Sequence, residues 1–174
     1  MVDPGGRSGV RLDVVSRPGA LDWSVDNCTI QRAVEAIGDR WSLILLREVF
    51  NGIRRFDELT VRTAIPRQVL TARLRSLVEE GILRKEPYRE PGRRTRSEYR
   101  LTQKGLDLYP VLIAFQEWGN RYLVDADGPP TVFQHRDCGE QVELVLRCAA
   151  GHEVERTRDV VGALGPGARR RSAS

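Results

Sequence analysis

From Pro66 to Val78 the chain carries Leu70, Leu74 and Leu77 at i, i+4 and i+7. That spacing places them on one stripe of a helix, and a stripe of leucines must be buried. Pro66 suits the first turn, where its missing N–H costs nothing. The opposite face carries Gln68, Thr71, Ala72 and Arg75. Two of these side chains are small, and the others donate hydrogen bonds. A helix face that only meets water carries more Glu and Lys, so this one is arranged for close approach to a partner.

The flanking pattern gives that helix a context. Asp26 or Asn27 can cap a helix from Cys28 to about Ile37, with Ile30, Ala33, Val34 and Ile37 on one face. Gly38 ends it, and Asp39 caps a second helix, Arg40 to Phe50, with Trp41, Ile44, Leu45 and Val49 at helical spacing. After the Asn51-Gly52 turn, Phe56, Leu59 and Val61 mark a short third helix. Gly81 stops the leucine-backed helix. Segments 82–88 and 96–101 then read as strands around a Pro91-Gly92 turn. Thr102 caps a long helix from about Gln103 to Leu123, whose stripe includes Val111, Phe115, Trp118 and Tyr122. The expected fold is mainly α with a small β component: a winged helix-turn-helix with a long C-terminal dimerisation helix. The domains expected are a flexible tail (1–21), the winged domain (22–125), a small ribbon-like β module (129–161) and a disordered basic tail (162–174).

Charge supplies the partner. The 174 residues hold 28 Lys and Arg against 24 Asp and Glu, a formal net charge of +4. Arginines crowd the segment from Arg54 to Arg100, and a local basic excess suits a polyanion, most simply duplex DNA. A helix is about 10–12 Å across and a major groove about 12 Å wide. Gln68 and Arg75 can read base edges, and Thr71 a phosphate or a thymine methyl. Pro66 opens this helix. Arg67, Arg89, Arg93, Arg94 and Arg96 suit backbone phosphates, which position a protein without specifying sequence. A second reading uses the same fold as a protein-binding adaptor. An enzyme is disfavoured, because both histidines lie near the C-terminus and neither a nucleophile–base set nor a glycine-rich phosphate loop is present. No apolar run approaches the about 20 residues of a membrane span, and no signal peptide is evident, so a cytoplasmic protein without a membrane partner is expected.

At this point the residues carry a family resemblance. The stretch from Cys28 through Trp41 to Arg47-Glu48, the run Arg55-Phe56-Asp57-Glu58-Leu59, the helix opening Ile65-Pro66-Arg67-Gln68 and the run from Tyr99 to Gly105 resemble the HxlR-type, MarR-like bacterial transcriptional regulators. The resemblance covers about Cys28 to Leu123. It implies a homodimeric DNA-binding regulator, often acting near its own gene. A repressor is the expected role, and two-fold symmetry calls for a pseudo-palindromic operator. The resemblance also implies a cysteine at the position of Cys28 that senses oxidants or electrophiles in several members. Unpaired N–H groups at a helix start favour a thiolate there, and Asp26 beside it acts the other way.

The C-terminal segment raises a metal question. His135 and Cys138 form one close pair and Cys148 and His152 another, with Val142, Leu144 and Leu146 alternating between them. Four such ligands in two pairs fit a zinc-ribbon-like module with structural zinc. The second knuckle departs from the better pattern, since Gly151 stands where a cysteine would be expected. No obligate cofactor is called for.

Overall fold

A computed structural model describes residues 22–89 and 95–171 of the chain. These fall into two compact units, residues 29–144 and residues 22–28 with 145–171. The first unit holds α1 (Thr29–Ile37), α2 (Arg40–Phe50), α3 (Phe56–Thr63), α4 (Arg67–Glu79), β1 (Leu83–Tyr88), β2 (Arg96–Leu101), α5 (Gln103–Leu106) and α6 (Tyr109–Tyr122). Among the described residues no helix is long and apolar enough to cross a membrane.

The core forms where α2, α3 and α4 meet β1. Leu45, Leu46 and Val49 of α2, Leu59 of α3, Leu70, Leu74 and Leu77 of α4, and Ile65, Ile82 and Leu83 close around one another. Each fully buried leucine contributes about 1.5–3 kcal/mol relative to exposure. Asp39 caps α2 as its sequence position predicts, accepting at 3.1 Å from the N–H groups of Trp41 and Ser42. The core side of α2 is shifted from expectation, however. Leu46 and the polar Ser42 and Glu48 are buried, while Trp41 and Ile44 are half-buried.

The turn into α4 is tight. Ala64 ends α3 in the left-handed region at φ 53°. Thr63 Oγ1 donates to Leu59 O at 2.7 Å and accepts from Ile65 N–H at 3.3 Å. Ile65 is thereby driven into the core, and Pro66 stands as the N-cap of α4 rather than inside its first turn.

β1 and β2 pair antiparallel, with Lys85 opposite Tyr99 and Tyr88 opposite Arg96. A short third segment joins the outer edge of β2: Arg55 bridges Glu98, and Tyr99 N–H donates to Arg54 O at 2.8 Å. The expected long helix after the hairpin is divided. Thr102 caps α5, accepting from Gly105 N–H at 3.2 Å, but the chain turns at Asp107 and Leu108 before α6 begins. Pro110 explains the division, because it has no N–H to continue the ladder and its ring disfavours the preceding turn. Gly105 is required here: a Cβ on it would lie 2.3 Å from Ile82 O.

Two apolar helix faces stay uncovered. On α1 only Ile37 is buried, while Ile30 is 74% and Val34 58% exposed. On α6 Ile113 is buried, and Val111, Phe115, Trp118 and Tyr122 form an exposed stripe.

The expected β appendage takes another form. Among the described residues after Pro129 the β pairing consists of isolated bridges, Gln134 with Gln141 in the first unit, and Arg147 with Glu153 and Trp23 with Arg170 in the second. The alternation through Val142, Leu144 and Leu146 therefore does not build a strand. The division between units at Leu144 also falls inside the expected 129–161 module. In the second unit Ser24 N–H donates to Arg169 O and Arg171 N–H to Asp22 O, so 169–171, expected in a disordered tail, run antiparallel to 22–24.

Candidate nucleic-acid interface

The leucine back of α4 is fully buried, so its other side must face outward. Gln68, Thr71, Ala72 and Arg75 are all exposed. Thr71 Oγ1 donates to Arg67 O at 2.8 Å, a back-bond within the helix. Arg75 Nε donates to Glu79 Oε1 at 2.7 Å. That hydrogen bond, and then the Glu79 charge, raises Arg75 above the ordinary guanidinium value. Arg75, always a cation, is held at Nε by Glu79 while its side chain stays 78% exposed.

Beside α4 a cleft of about 510 Å³ opens against the hairpin, lined by Phe56, Asp57, Arg67, Lys85, Tyr88, Arg96, Ser97 and Tyr99. Strand pleating places its cations and rings together, since Lys85 faces Tyr99 across the hairpin and Arg96 faces Tyr88. The Arg67 guanidinium lies 4.9 Å from the Phe56 ring centroid, and that of Arg55 lies 4.4 Å from the Tyr88 centroid. Arg96 Nη1 lies 3.4 Å from Asp57 Oδ2. Burial raises the Tyr99 phenol above its ordinary value. An arrangement of planar cations over rings beside an exposed helix face suits a phosphate backbone.

The structure brings Arg67 and Arg96 into one cleft, and Gln68, Thr71 and Arg75 onto one helix face. Arg89 is exposed just past β1, while Arg93 and Arg94 lie outside the described residues. Lys85, Phe56 and Tyr99 were missed as site residues. The alternation of Lys85 and Pro87 along β1 held the signal for Lys85, but its meaning depends on which strand edge α3 and α4 flank.

Cys28 is half-buried directly before α1, its N–H donating to Val25 O at 2.9 Å. Cys138 Sγ lies 3.3 Å from His135 Nδ1, in a turn where Gly139 adopts φ 76°. In the other unit Cys148 N–H donates to His152 O, with Gly151 at φ 86°. Among the described residues no group of three or more His, Cys, Asp and Glu is placed to hold a metal ion. Of the expected four ligands, His135 and Cys138 belong to one unit and Cys148 and His152 to the other.

Comparison with known proteins agrees with this geometry. Residues 36–127 match the family model described as HxlR-like helix-turn-helix. An HTH-type transcriptional regulator of Mycobacterium tuberculosis strain H37Rv is 40% identical over 146 residues, covering 84% of this chain and 91% of that protein. The solved structure of PA1607, a candidate transcription factor, superposes with a TM-score of 0.71 at 33% identity, covering 79% of this chain and 95% of that one. The redox regulator HypR in its oxidized form superposes with a TM-score of 0.50 at 30% identity, covering 56% of this chain and all of that one.

Proposed function

The chain belongs to the HxlR-like helix-turn-helix family, and from that premise we propose that it is a homodimeric repressor binding a pseudo-palindromic duplex operator. It is a transcriptional regulator and not an enzyme. One observation carries the DNA-binding reading: α4 buries its leucines completely and exposes Gln68, Thr71, Ala72 and Arg75 beside a cleft lined by Arg67, Lys85 and Arg96. In this reading α4 enters the major groove. Pro66, Arg67, Arg89, Arg93, Arg94 and Arg96 meet the backbone or the adjacent minor groove. Repression follows by occlusion, a bound dimer competing with polymerase for promoter DNA in the cytoplasm.

A second copy is the proposed cover for the stripe Val111, Phe115, Trp118 and Tyr122 and for Ile30 and Val34, since a folded monomer rarely leaves so many large apolar side chains in water. Two-fold symmetry then requires half-sites about one helical turn, or a multiple, apart.

Selection of bound sequences from a random duplex pool tests the reading. Arg75→Ala should weaken binding by about 1–3 kcal/mol and relax preference at one base position per half-site. Wild-type affinity and an unchanged selected sequence for this variant would remove Arg75 from the base-reading set.

Cys28 is the proposed redox-sensing residue. Thiol-reactive oxidant should weaken operator binding in wild type and leave Cys28→Ser unaffected; equal sensitivity of the two proteins excludes it. Structural zinc on His135, Cys138, Cys148 and His152 is a separate proposal, with no obligate cofactor needed for DNA binding. The His135–Cys138 separation of 3.3 Å resembles the about 3.5 Å between nitrogen and sulfur ligands of one tetrahedral zinc. Protein purified without chelator should then carry one zinc per chain and lose thermal stability when the zinc is removed. Sub-stoichiometric zinc with unchanged melting in chelator removes the proposal.

A further inference from the structure

The leucine back secures α4 against the core, but it does not by itself set the angle at which the helix is presented. Burial of apolar area is non-directional. Base readout is directional: Gln68, Thr71 and Arg75 must be held within about 0.5 Å of a productive position. A directional contact belongs on a flank of α4, between its buried and outward faces.

Arg73 occupies such a flank. It lies between exposed Ala72 and buried Leu74, and is itself half-buried. Its Nε is buried, makes no hydrogen bond and lies 3.4 Å from Asp39 Oδ1. The contact is therefore one of charge. Asp39 is the N-cap of α2, and the start of that helix fixes its carboxylate. Oδ1 accepts from the N–H groups of Trp41 and Ser42, and Oδ2 accepts from the hydroxyl of the buried Ser42. The corner before it is equally constrained, because a Cβ on Gly38 would lie 2.6 Å from Val34 O. Behind the cap, α2 packs directly on α4. Asp39 thus presents a charge held in place, and Arg73 is aligned by it. The side chains of Asp39 and Arg73 are 32% and 42% exposed, so water screens them less than a pair on the open surface.

We propose that the Asp39–Arg73 pair positions α4: the anchored carboxylate holds the flank of the helix so that Gln68, Thr71 and Arg75 meet base edges in register. The proposal rests on the DNA-binding reading above. Arg73 acts here through its neighbours on α4, so its effect lies in the difference between correct and incorrect duplexes. A random duplex is held by phosphate contacts, which tolerate a rolled helix. The operator also needs base contacts, which do not. The competing use of Arg73 is as one more phosphate ligand. Its buried Nε and its paired charge count against that use, and the two roles give opposite signs when Asp39 is neutralised.

Asp39→Asn removes the charge and keeps the cap, because asparagine caps a helix as well as aspartate does. Its amide also suits Ser42 Oγ, since a hydroxyl accepts as well as donates. With the full-length variant, affinity for the selected operator should fall about tenfold while affinity for a random duplex of equal length is unchanged. Arg73→Met should do the same, and Arg73→Lys should retain most of the wild-type preference. The double variant Asp39→Asn/Arg73→Met should lose no more than either single variant. Unchanged operator affinity in Asp39→Asn overturns the proposal. A gain on both duplexes with a steeper salt slope also overturns it, because Arg73 would then be a phosphate ligand released from its partner. So does a loss in the double variant equal to the product of the two single losses. Asp39→Ser is the second capping variant should Asp39→Asn change thermal melting. Urea unfolding of wild type, the two single variants and the double variant reads the pair without DNA. Additive effects there overturn the pair, whereas a wild type that binds no duplex refutes the DNA-binding reading instead.

Discussion

Replacing Arg47 and Arg62 together by methionine should destabilise the protein by about 3–5 kcal/mol, the cost of leaving a buried charge without a partner. Glu48 is completely buried in α2, and the guanidinium groups of Arg47 and Arg62 reach it from side chains that are 56% and 62% exposed. Methionine keeps most of the aliphatic stem, so lost packing contributes little beside the lost charges. Each single variant leaves one cation in place and should cost clearly less than half of the double change, since the second removal strands the carboxylate. Adding Glu48→Met to the double variant should restore most of the loss, because the buried charge is then gone. Urea unfolding of wild type and these four variants measures this. A double variant within about 1 kcal/mol of wild type would show that Glu48 finds another partner, or water, when its arginines are removed.

The second large effect concerns DNA. Arg67, Lys85 and Arg96 line one cleft beside α4, and the two arginines are pre-set by Phe56 and Asp57. Changing all three to glutamine should lower the slope of log affinity against log salt by about five for the dimer on its operator, about 0.9 for each of the six lost phosphate contacts. The loss should be nearly the same for selected and random duplexes, because phosphate contacts carry no sequence information. Arg75→Ala should behave in the opposite way, with preference lost and the salt slope little changed. An unchanged slope in the triple variant would move the backbone contacts away from this cleft.

Much of this architecture was legible in the residues because local rules and packing agree there. Leu70, Leu74 and Leu77 at helical spacing gave the buried back of α4, and the same arithmetic placed Gln68, Thr71 and Arg75 outside. Asp39 before Trp41 marked a cap that the structure shows bonded to two N–H groups. Legibility ended where a pattern's meaning depends on a distant partner. Ile30 and Val34 have a core-like period yet stay exposed, because periodicity reports which face is apolar and not what covers it. Val142, Leu144 and Leu146 alternate like a strand, but a strand requires a neighbour to accept its hydrogen bonds. Glu48 sits among apolar residues of α2, and nothing local announces that Arg62, fourteen positions on, will meet it. Pro110 did carry its warning, since a proline early in a proposed long helix marks a restart. The segment at Arg54 and Arg55 is too short for a period-2 signal, so its isolated bridge to Glu98 of β2 emerges only with the fold. Lys85 joined the site for the same reason: its role follows from pairing opposite Tyr99, which sequence spacing alone does not fix.

Guanine N7 methylation interference on the selected operator examines the placement of α4 most directly, because N7 is exposed in the major groove. Wild-type protein should show two blocks of interference about 10–10.5 base pairs apart, or a multiple of that spacing, and Arg75→Ala should lose interference at one guanine in each block. Interference confined to no particular guanine, or a pattern identical in wild type and Arg75→Ala, would contradict the placement of this helix face against the base edges.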